Sequence, residues 1–533
     1  MPKQTKVKVN KELSLESILW NCRVALRGLG GNEKNRDAVM GLVFLKFAGD
    51  KFEKRRTEIK ARHGDVPAFL DKPSFYASES VFYLPEHCRW QHLVDNSSDT
   101  KIAVMIDDAM RDITEKNASL KGALPQGFYV GCGATQRDLK NLIDEINKID
   151  PKKFEDTDLI GRVYEYFLQA FAVAATKEEG EFYTPSSLVS LIAELIEPYE
   201  GKVYDPCCGT GGMFVQSLKF VERHNGNRLK VSIYGQEKNP ETRRLARLNL
   251  AIRGISHNLG SEDGEQQSTF LNEQHRDETV DFIMANPPFN FKGWRGEDQL
   301  TKDYRWSGYA VPPVSNANYA WILHMISKLD PTNGIAGFLL ANGALNADGV
   351  EGGIREQLIE NDKVEAIIVL PRDMFYTTDI SVTLWIVNNN KKARELNGRK
   401  LRDRRGEVLF VDLRRWDSNV SEYKIDDRSK KKKTVLSEEQ IKKMRDLYFA
   451  WQMGEGYEDI AELCKSATKS DIKTKKYSLA PSKYIEFVFR DLDVDYKKEM
   501  SRIQEEVGGI LKREKESQQM LEAAFKGVGY GID

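Results

Sequence analysis

Apolar residues along the chain follow two rhythms, and the change from one to the other divides it. In LSLESILWNCRVALRGL (13–29), RDAVMGLVFLKFAGDKFEKRRTEI (36–59) and DLIGRVYEYFLQAFA (158–172) they recur every three to four positions, the spacing that gathers one face of an α-helix. From Lys202 onward the pattern shortens to compact β-rich runs separated by helical stretches: KVYD, LKVSIYGQE, DFIMAN, GIAGFLLAN, KVEAIIVLP, SVTLWIVNN and EVLFVDL. Alternation of that kind predicts a mostly parallel sheet flanked by helices, the doubly wound α/β class, whose ligands sit at the carboxyl ends of the strands. After Leu413 the chain turns polar, with Arg428 followed by the run Lys430 to Lys433, and helical texture resumes near Ser437. The lysine run reads as a solvated loop or a phosphate contact. A long helix is predicted from Asp491, with Tyr496, Met500, Ile503, Val507 and Ile510 on one stripe that either packs on its own domain or docks on a helix of another subunit.

Composition narrows the function classes. A chain of 533 residues holds about two to four domains. Its 80 Lys plus Arg against 81 Asp plus Glu announce neither a self-sufficient nucleic-acid binder nor a polybasic membrane protein. No apolar run approaches the length that spans a bilayer, and the basic N-terminus lacks the apolar segment of a secretory signal, so no membrane contact and a cytoplasmic location are expected. Six cysteines without a C-x-x-C pair and seven scattered histidines predict reduced thiols and no metal site. There is no P-loop.

Chemistry concentrates at the strand ends. In DPCCGTGGM, Asp205 closes the first β run, and Gly209, Thr210, Gly211 and Gly212 form a turn before an apolar helix near Met213. Glycines there let backbone approach a ligand, and an acid ahead of them suits a cationic amino-acid end rather than a pyrophosphate; a plain glycine-rich turn is the alternative. Glu237 stands at the tip of the next run, where acids in such folds hold the two hydroxyls of a ribose. Asp263, in GSEDG, either reaches an adenine amine or is an ordinary turn aspartate. Directly after DFIMA comes Asn286-Pro287-Pro288-Phe289. An aromatic amine is a poor nucleophile because its lone pair is delocalised into the ring. The side-chain oxygen of Asn286 and the carbonyl of Pro287 supply two acceptors that draw its nitrogen toward tetrahedral geometry, and Phe289 stacks on the base. Such an arrangement fits an enzyme that extrudes a base from a duplex, with methyl transfer from a sulfonium relying on in-line placement and not on a metal. Lys292, Trp294, Arg295 and Trp306 read either as a strand-holding loop or as ordinary surface or core residues.

These residues resemble the modification (methyltransferase, M) subunits of type I restriction-modification systems, adenine-N6 DNA methyltransferases that use S-adenosyl-L-methionine. The resemblance covers most of the chain and rests on Gly180-Glu181-Phe182-Tyr183-Thr184-Pro185, DPCCGTGGMF, Glu237, NPPF, LPRDMFYTTDISVTLWIV, the helical N-terminal domain and Tyr484 in SLAPSKYIEF. It implies a Rossmann-like class I S-adenosylmethionine-dependent methyltransferase domain at 176–425. An α-helical N-terminal domain (1–175) precedes it, and a charged linker with a helical C-terminal region for subunit contact (426–533) follows. It implies that Asn286, Pro287, Pro288 and Phe289 are catalytic. Glu181, Phe182, Tyr183, Thr184, Pro185 and Ser186 would bind the cofactor together with Asp205, Gly209, Thr210, Gly211, Gly212, Glu237 and Asp263. The polar surroundings of Asp263 depart from the family's usual pattern. It also implies a complex on DNA: a second methyltransferase subunit, a specificity subunit that selects the site, and a restriction subunit carrying the motor and nuclease. The roughly 120 residues after the β-rich region are too few for a pair of target-recognition domains. The alternatives are a methyltransferase acting on a protein glutamine or an RNA base, and a non-catalytic scaffold for a specificity subunit.

Overall fold

The computed structural model describes residues 14–26, 32–150, 159–172, 184–261, 268–375, 381–414, 421–424, 432–488 and 496–527. The chain forms two compact units, Met1–Ile485 and Glu486–Asp533.

The first unit begins with helices. The longest are α1 (Leu15–Ala25), α2 (Asn32–His63), α3 (Ile102–Lys116), α4 (Gln136–Asn147) and α5 (Leu159–Ala172). Helix α4 shows the logic: Thr135 and Asp138 close a reciprocal capping box at its start, and Leu139, Leu142, Ile143 and Ile146 form one buried face.

A nine-stranded sheet follows, built from β1 (Gly201–Asp205), β2 (Val231–Gly235), β3 (His257–Asn258), β4 (Phe282–Ala285), β5 (Ile335–Ala341), β6 (Val364–Val369), β7 (Val382–Asn388), β8 (Glu407–Asp412) and β9 (Cys464–Thr468). Their spatial order is β9-β8-β6-β7-β5-β4-β1-β2-β3. All seven runs read from the sequence are strands. Strand β7 lies antiparallel between β5 and β6. The sequence joining β6 to β7 carries no helical pattern from which a parallel crossover is usually built, and the chain returns antiparallel. Helices α6 (Ser186–Ile196), α7 (Gly212–Arg223), α8 (Pro240–Ile252), α9 (Asn318–Lys328), α10 (Gly349–Glu360) and α11 (Glu438–Met453) complete the longer elements of this unit.

Helix α8 serves two cores. Leu245, Leu248, Ala251 and Ile252 belong to the N-terminal helical core, whereas Ala246 and Leu250 belong to the core on the sheet. The Tyr164 hydroxyl of α5 donates to the Leu245 carbonyl at 2.7 Å, and Arg244 pairs with Asp37 of α2 at 2.6 Å.

The sheet continues past residue 425, where the sequence reading closes the catalytic domain: β9 pairs antiparallel with β8, and α11 buries Tyr448 and Trp451 in the core on the sheet. Strand β9, CKSAT, is short and mostly polar, so no apolar run marks it. Lys433, in the lysine run, lies in a short strand and is buried; Lys430 and Lys431 fall outside the described residues. Glu365 of β6 and Arg404 form a fully buried ion pair, with Nε to Oε1 at 2.9 Å. Asn388 and Gln452 also donate to Glu365, and Arg404 donates to the Arg402 carbonyl at 2.8 Å.

The second unit contains helix α12 (Tyr496–Gly527), on which Met500, Ile503, Val507 and Ile510 recur at helical spacing and are exposed. No helix among the described residues is long and apolar enough to cross a membrane.

Candidate active site

Strands β1, β2 and β4 are parallel neighbours, so their carboxyl ends meet at one edge of the sheet. At the end of β1 Asp205 is buried, and its carboxylate accepts the Cys207 N–H at 3.0 Å. Burial pushes its carboxyl up to about 7, the Cys207 hydrogen bond working against that shift and the charge of Glu237 adding to it. Beyond it the chain turns sharply through Gly209 and Gly211, whose φ values of 53° and 81° lie in the left-handed region. A Cβ placed on Gly209 or Gly212 would meet nothing within 4 Å, so the loop leaves open space before α7.

Glu237 ties the tips of β1 and β2 together: one oxygen accepts the Gly209 N–H at 2.9 Å and the other the Asn239 N–H at 2.8 Å. Asn249, buried on α8, donates from Nδ2 to the Thr210 carbonyl at 2.8 Å, fixing the loop from behind. Burial raises the thiols of Cys207 and Cys208 well above their ordinary range, with Asp205 and Glu237 adding to the effect, which keeps them from acting as thiolate nucleophiles.

Asn286 leaves the sheet at the end of β4. Its Nδ2 donates to Thr184 Oγ1 at 2.9 Å, while its Oδ1 is buried and has no hydrogen-bond partner among the described residues. Thr184 and Pro185 lead directly into α6; Pro185 is buried and Ser186 exposed. Pro287 is buried, and Pro288 and Phe289 are half-buried. The Phe289 ring sits edge-on to Phe375 at 6.1 Å between centroids. The structure thus gathers Thr184, Pro185, Asp205, the glycine loop, Glu237 and NPPF around the carboxyl ends of three adjacent strands. Glu181, Phe182, Tyr183 and Asp263 lie outside the described residues.

Two asparagines that sequence reasoning passed over hold the turn after Phe289. Asn290 has a φ of 53°; its N–H donates to Asn318 Oδ1 at 3.0 Å, and Asn318 Nδ2 returns a bond to Asn290 Oδ1 at 2.9 Å. The Ala317 N–H donates to the Phe291 carbonyl at 2.9 Å. The visible signal was the spacing SNAN just ahead of an apolar helix.

The strand-holding loop is not what Trp294, Arg295 and Trp306 form. Both tryptophans are core residues, and Arg295 is buried, donating to the carbonyls of Gly296, Glu297, Gln299 and Pro312. A cation surrounded by backbone acceptors satisfies itself internally. Lys292 alone of that group is exposed. Among the described residues one group could ligate a metal, His87, Cys88 and Asp112 in the helical core region. There His87 and Asp112 form a partly exposed pair at 2.7 Å, and burial raises the Cys88 thiol to about 12.

Residues 155–490 match the N-6 DNA methylase family and residues 15–146 the HsdM N-terminal domain. The chain is 38% identical to the type I restriction enzyme HindI methylase subunit of Haemophilus influenzae, over 84% of this chain and 100% of that one. It is 33% identical to the MjaIX methylase subunit of Methanocaldococcus jannaschii, over 97% and 91%. Its fold matches the crystal structure of a type I restriction-modification methyltransferase subunit from Streptococcus thermophilus with a TM-score of 0.69 and 21% identity, covering 88% of this chain and 98% of that one.

Proposed function

Because the chain belongs to the N-6 DNA methylase family, among the methylase subunits of type I restriction enzymes, we propose that it methylates the N6 amine of an adenine extruded from DNA, using S-adenosyl-L-methionine, at sites chosen by a separate specificity subunit. The observation that carries this reading is the Asn286 carboxamide. A buried acceptor without a partner costs about 1–3 kcal/mol, and its natural complement is a donor brought by the substrate. An exocyclic amine offers two such hydrogens.

The residues present fit the cofactor. The backbone at Gly209 and Gly212 is open to a ligand, Asp205 supplies an acid for a cationic amino-acid end, and Glu237 stands where ribose hydroxyls would be held. We extend that set to Glu181, Phe182, Tyr183, Pro185, Ser186 and Asp263 on the strength of the family motif. When bound, S-adenosylmethionine supplies a methyl group on a sulfonium centre. Asn286 Oδ1 and the Pro287 carbonyl accept the two amine hydrogens, which frees the nitrogen lone pair, and Phe289 stacks on the base. With the cofactor held by Asp205, the glycine loop and Glu237, the methyl would pass to that nitrogen as its bond to sulfur broke, and the amine would release one proton.

Assembly with a specificity subunit, a second methylase subunit and a restriction subunit follows the family. We assign the exposed stripe on α12 to subunit contact and place the protein with DNA in the cytoplasm. The test is transfer of labelled methyl to DNA lacking the host modification, by the chain alone and with its specificity protein. Label on adenine that requires the partner supports the reading. Label from the chain alone removes the partner's role, and label only on protein or RNA moves the substrate to those classes.

Two further outcomes are expected. Asn249→Ala removes the bond holding the Thr210 carbonyl and lowers cofactor affinity about 3- to 10-fold, measured by calorimetry on the purified chain. Asp205→Asn weakens cofactor binding yet raises stability at pH 8. The folded-state value of Asp205 lies above its unfolded one, so the stability it contributes is present at low pH and is lost as pH rises to about 7. An amide escapes that loss. Melting curves from pH 5 to 8 check it: the gain must be largest above pH 7 and shrink toward pH 5. For the native chain, cofactor affinity should rise with pH through the same range, as the carboxylate forms.

A further inference from the structure

Asn286 can serve as an acceptor only if its carboxamide is turned the right way round. Oxygen and nitrogen exchange places by rotation of the amide, and in the reversed state an N–H would face the amine it has to bind. The structure shows what sets the choice. The Nδ2 end is held by Thr184 Oγ1 at 2.9 Å, across 102 positions of sequence, and the Oδ1 end is left as a buried acceptor. We propose that Thr184 is the positioning residue for Asn286: by accepting from Nδ2 it keeps Oδ1 aimed at the extruded base. This rests on the adenine methyltransferase reading of the site.

The hydroxyl has a second property. It carries one hydrogen of its own, and a hydroxyl can present either its oxygen or its hydrogen to an amide. Here its oxygen accepts from Asn286 Nδ2, so the hydroxyl hydrogen turns away from the amide.

The experiment uses the full chain assembled with its specificity protein. Thr184→Val keeps the shape and removes the acceptor; Thr184→Ser restores it. Thr184→Val is expected to lower kcat about 10- to 100-fold at saturating cofactor and DNA, with KM for DNA within about 3-fold of wild type; the cofactor Kd from calorimetry sets the concentration that saturates. Thr184→Ser is expected to recover kcat to within about 3-fold. On an Asn286→Ala background, Thr184→Val should have no further effect on the residual rate, because the residue acts through the amide. Wild-type kcat in the valine variant, or a weaker cofactor Kd that fully accounts for the loss and is overcome by saturation, overturns the proposal and makes Thr184 a cofactor contact only. An additive loss on the alanine background does the same. Failure of the underlying reading looks different: the unsubstituted complex would place no methyl on adenine.

Discussion

Replacing Asn286 with alanine is expected to reduce kcat for DNA methylation by at least about 10²- to 10³-fold, the scale on which removing one preorganised polar group from a reacting centre is felt. The protein itself should tolerate the change. Among the described residues the side chain makes one hydrogen bond, to Thr184, and its oxygen has no partner, so truncation gives up a single contact and also removes a buried acceptor. Thermal midpoint, cofactor binding and assembly with the specificity protein should all stay near wild type. Single-turnover transfer of labelled methyl, measured beside a melting curve, separates the two sides. A variant that melts normally and still methylates within a few-fold of wild type would remove Asn286 from the chemistry.

The largest effect on stability is expected at Arg404. Its guanidinium and the Glu365 carboxylate are both fully buried, and removing one member of such a pair strands the other in a low-dielectric interior, a loss of about 3–5 kcal/mol. Arg404→Met should therefore destabilise strongly in denaturant titrations. The double change Arg404→Met with Glu365→Leu should be less damaging than Arg404→Met alone, because the stranded charge is gone. A double variant as unstable as the sum of its parts would mean that packing, and not charge, sets the penalty.

The sequence discloses some parts of this molecule and conceals others for physical reasons. Seven strands were legible because each is a compact apolar run, and β6 and β7 are buried along their whole length. NPPF was legible because two prolines and an aromatic directly after such a run form a rare, stiff turn. Strands β3 and β9 were not: two residues and CKSAT have no pattern to read, since their place depends on ladder bonds to neighbours. The direction of β7 also escaped, being set by its connection to β6 and its pairing with β5 and β6 rather than by its own residues. The bonds from Asn286 to Thr184, from Asn249 to Thr210 and from Asn318 to Asn290 join positions 102, 39 and 28 apart, and no local pattern encodes them. Trp294, Arg295 and Trp306 stayed open between two readings, because aromatic and basic composition suits a nucleic-acid surface and a core equally well until burial decides.

Helix α8 carries a consequence for how such a protein can be altered by recombination. Its Leu245, Leu248, Ala251 and Ile252 face the N-terminal helices, while Ala246, Leu250 and Asn249 face the sheet and the glycine loop. A crossover near residue 175 would join N-terminal helices from one lineage to an α8 shaped for another. Every mismatch on that shared helix would be felt at the loop held by Asn249. A chimera that exchanges the four apolar residues of α8 together with the helices they face is expected to keep both contacts matched.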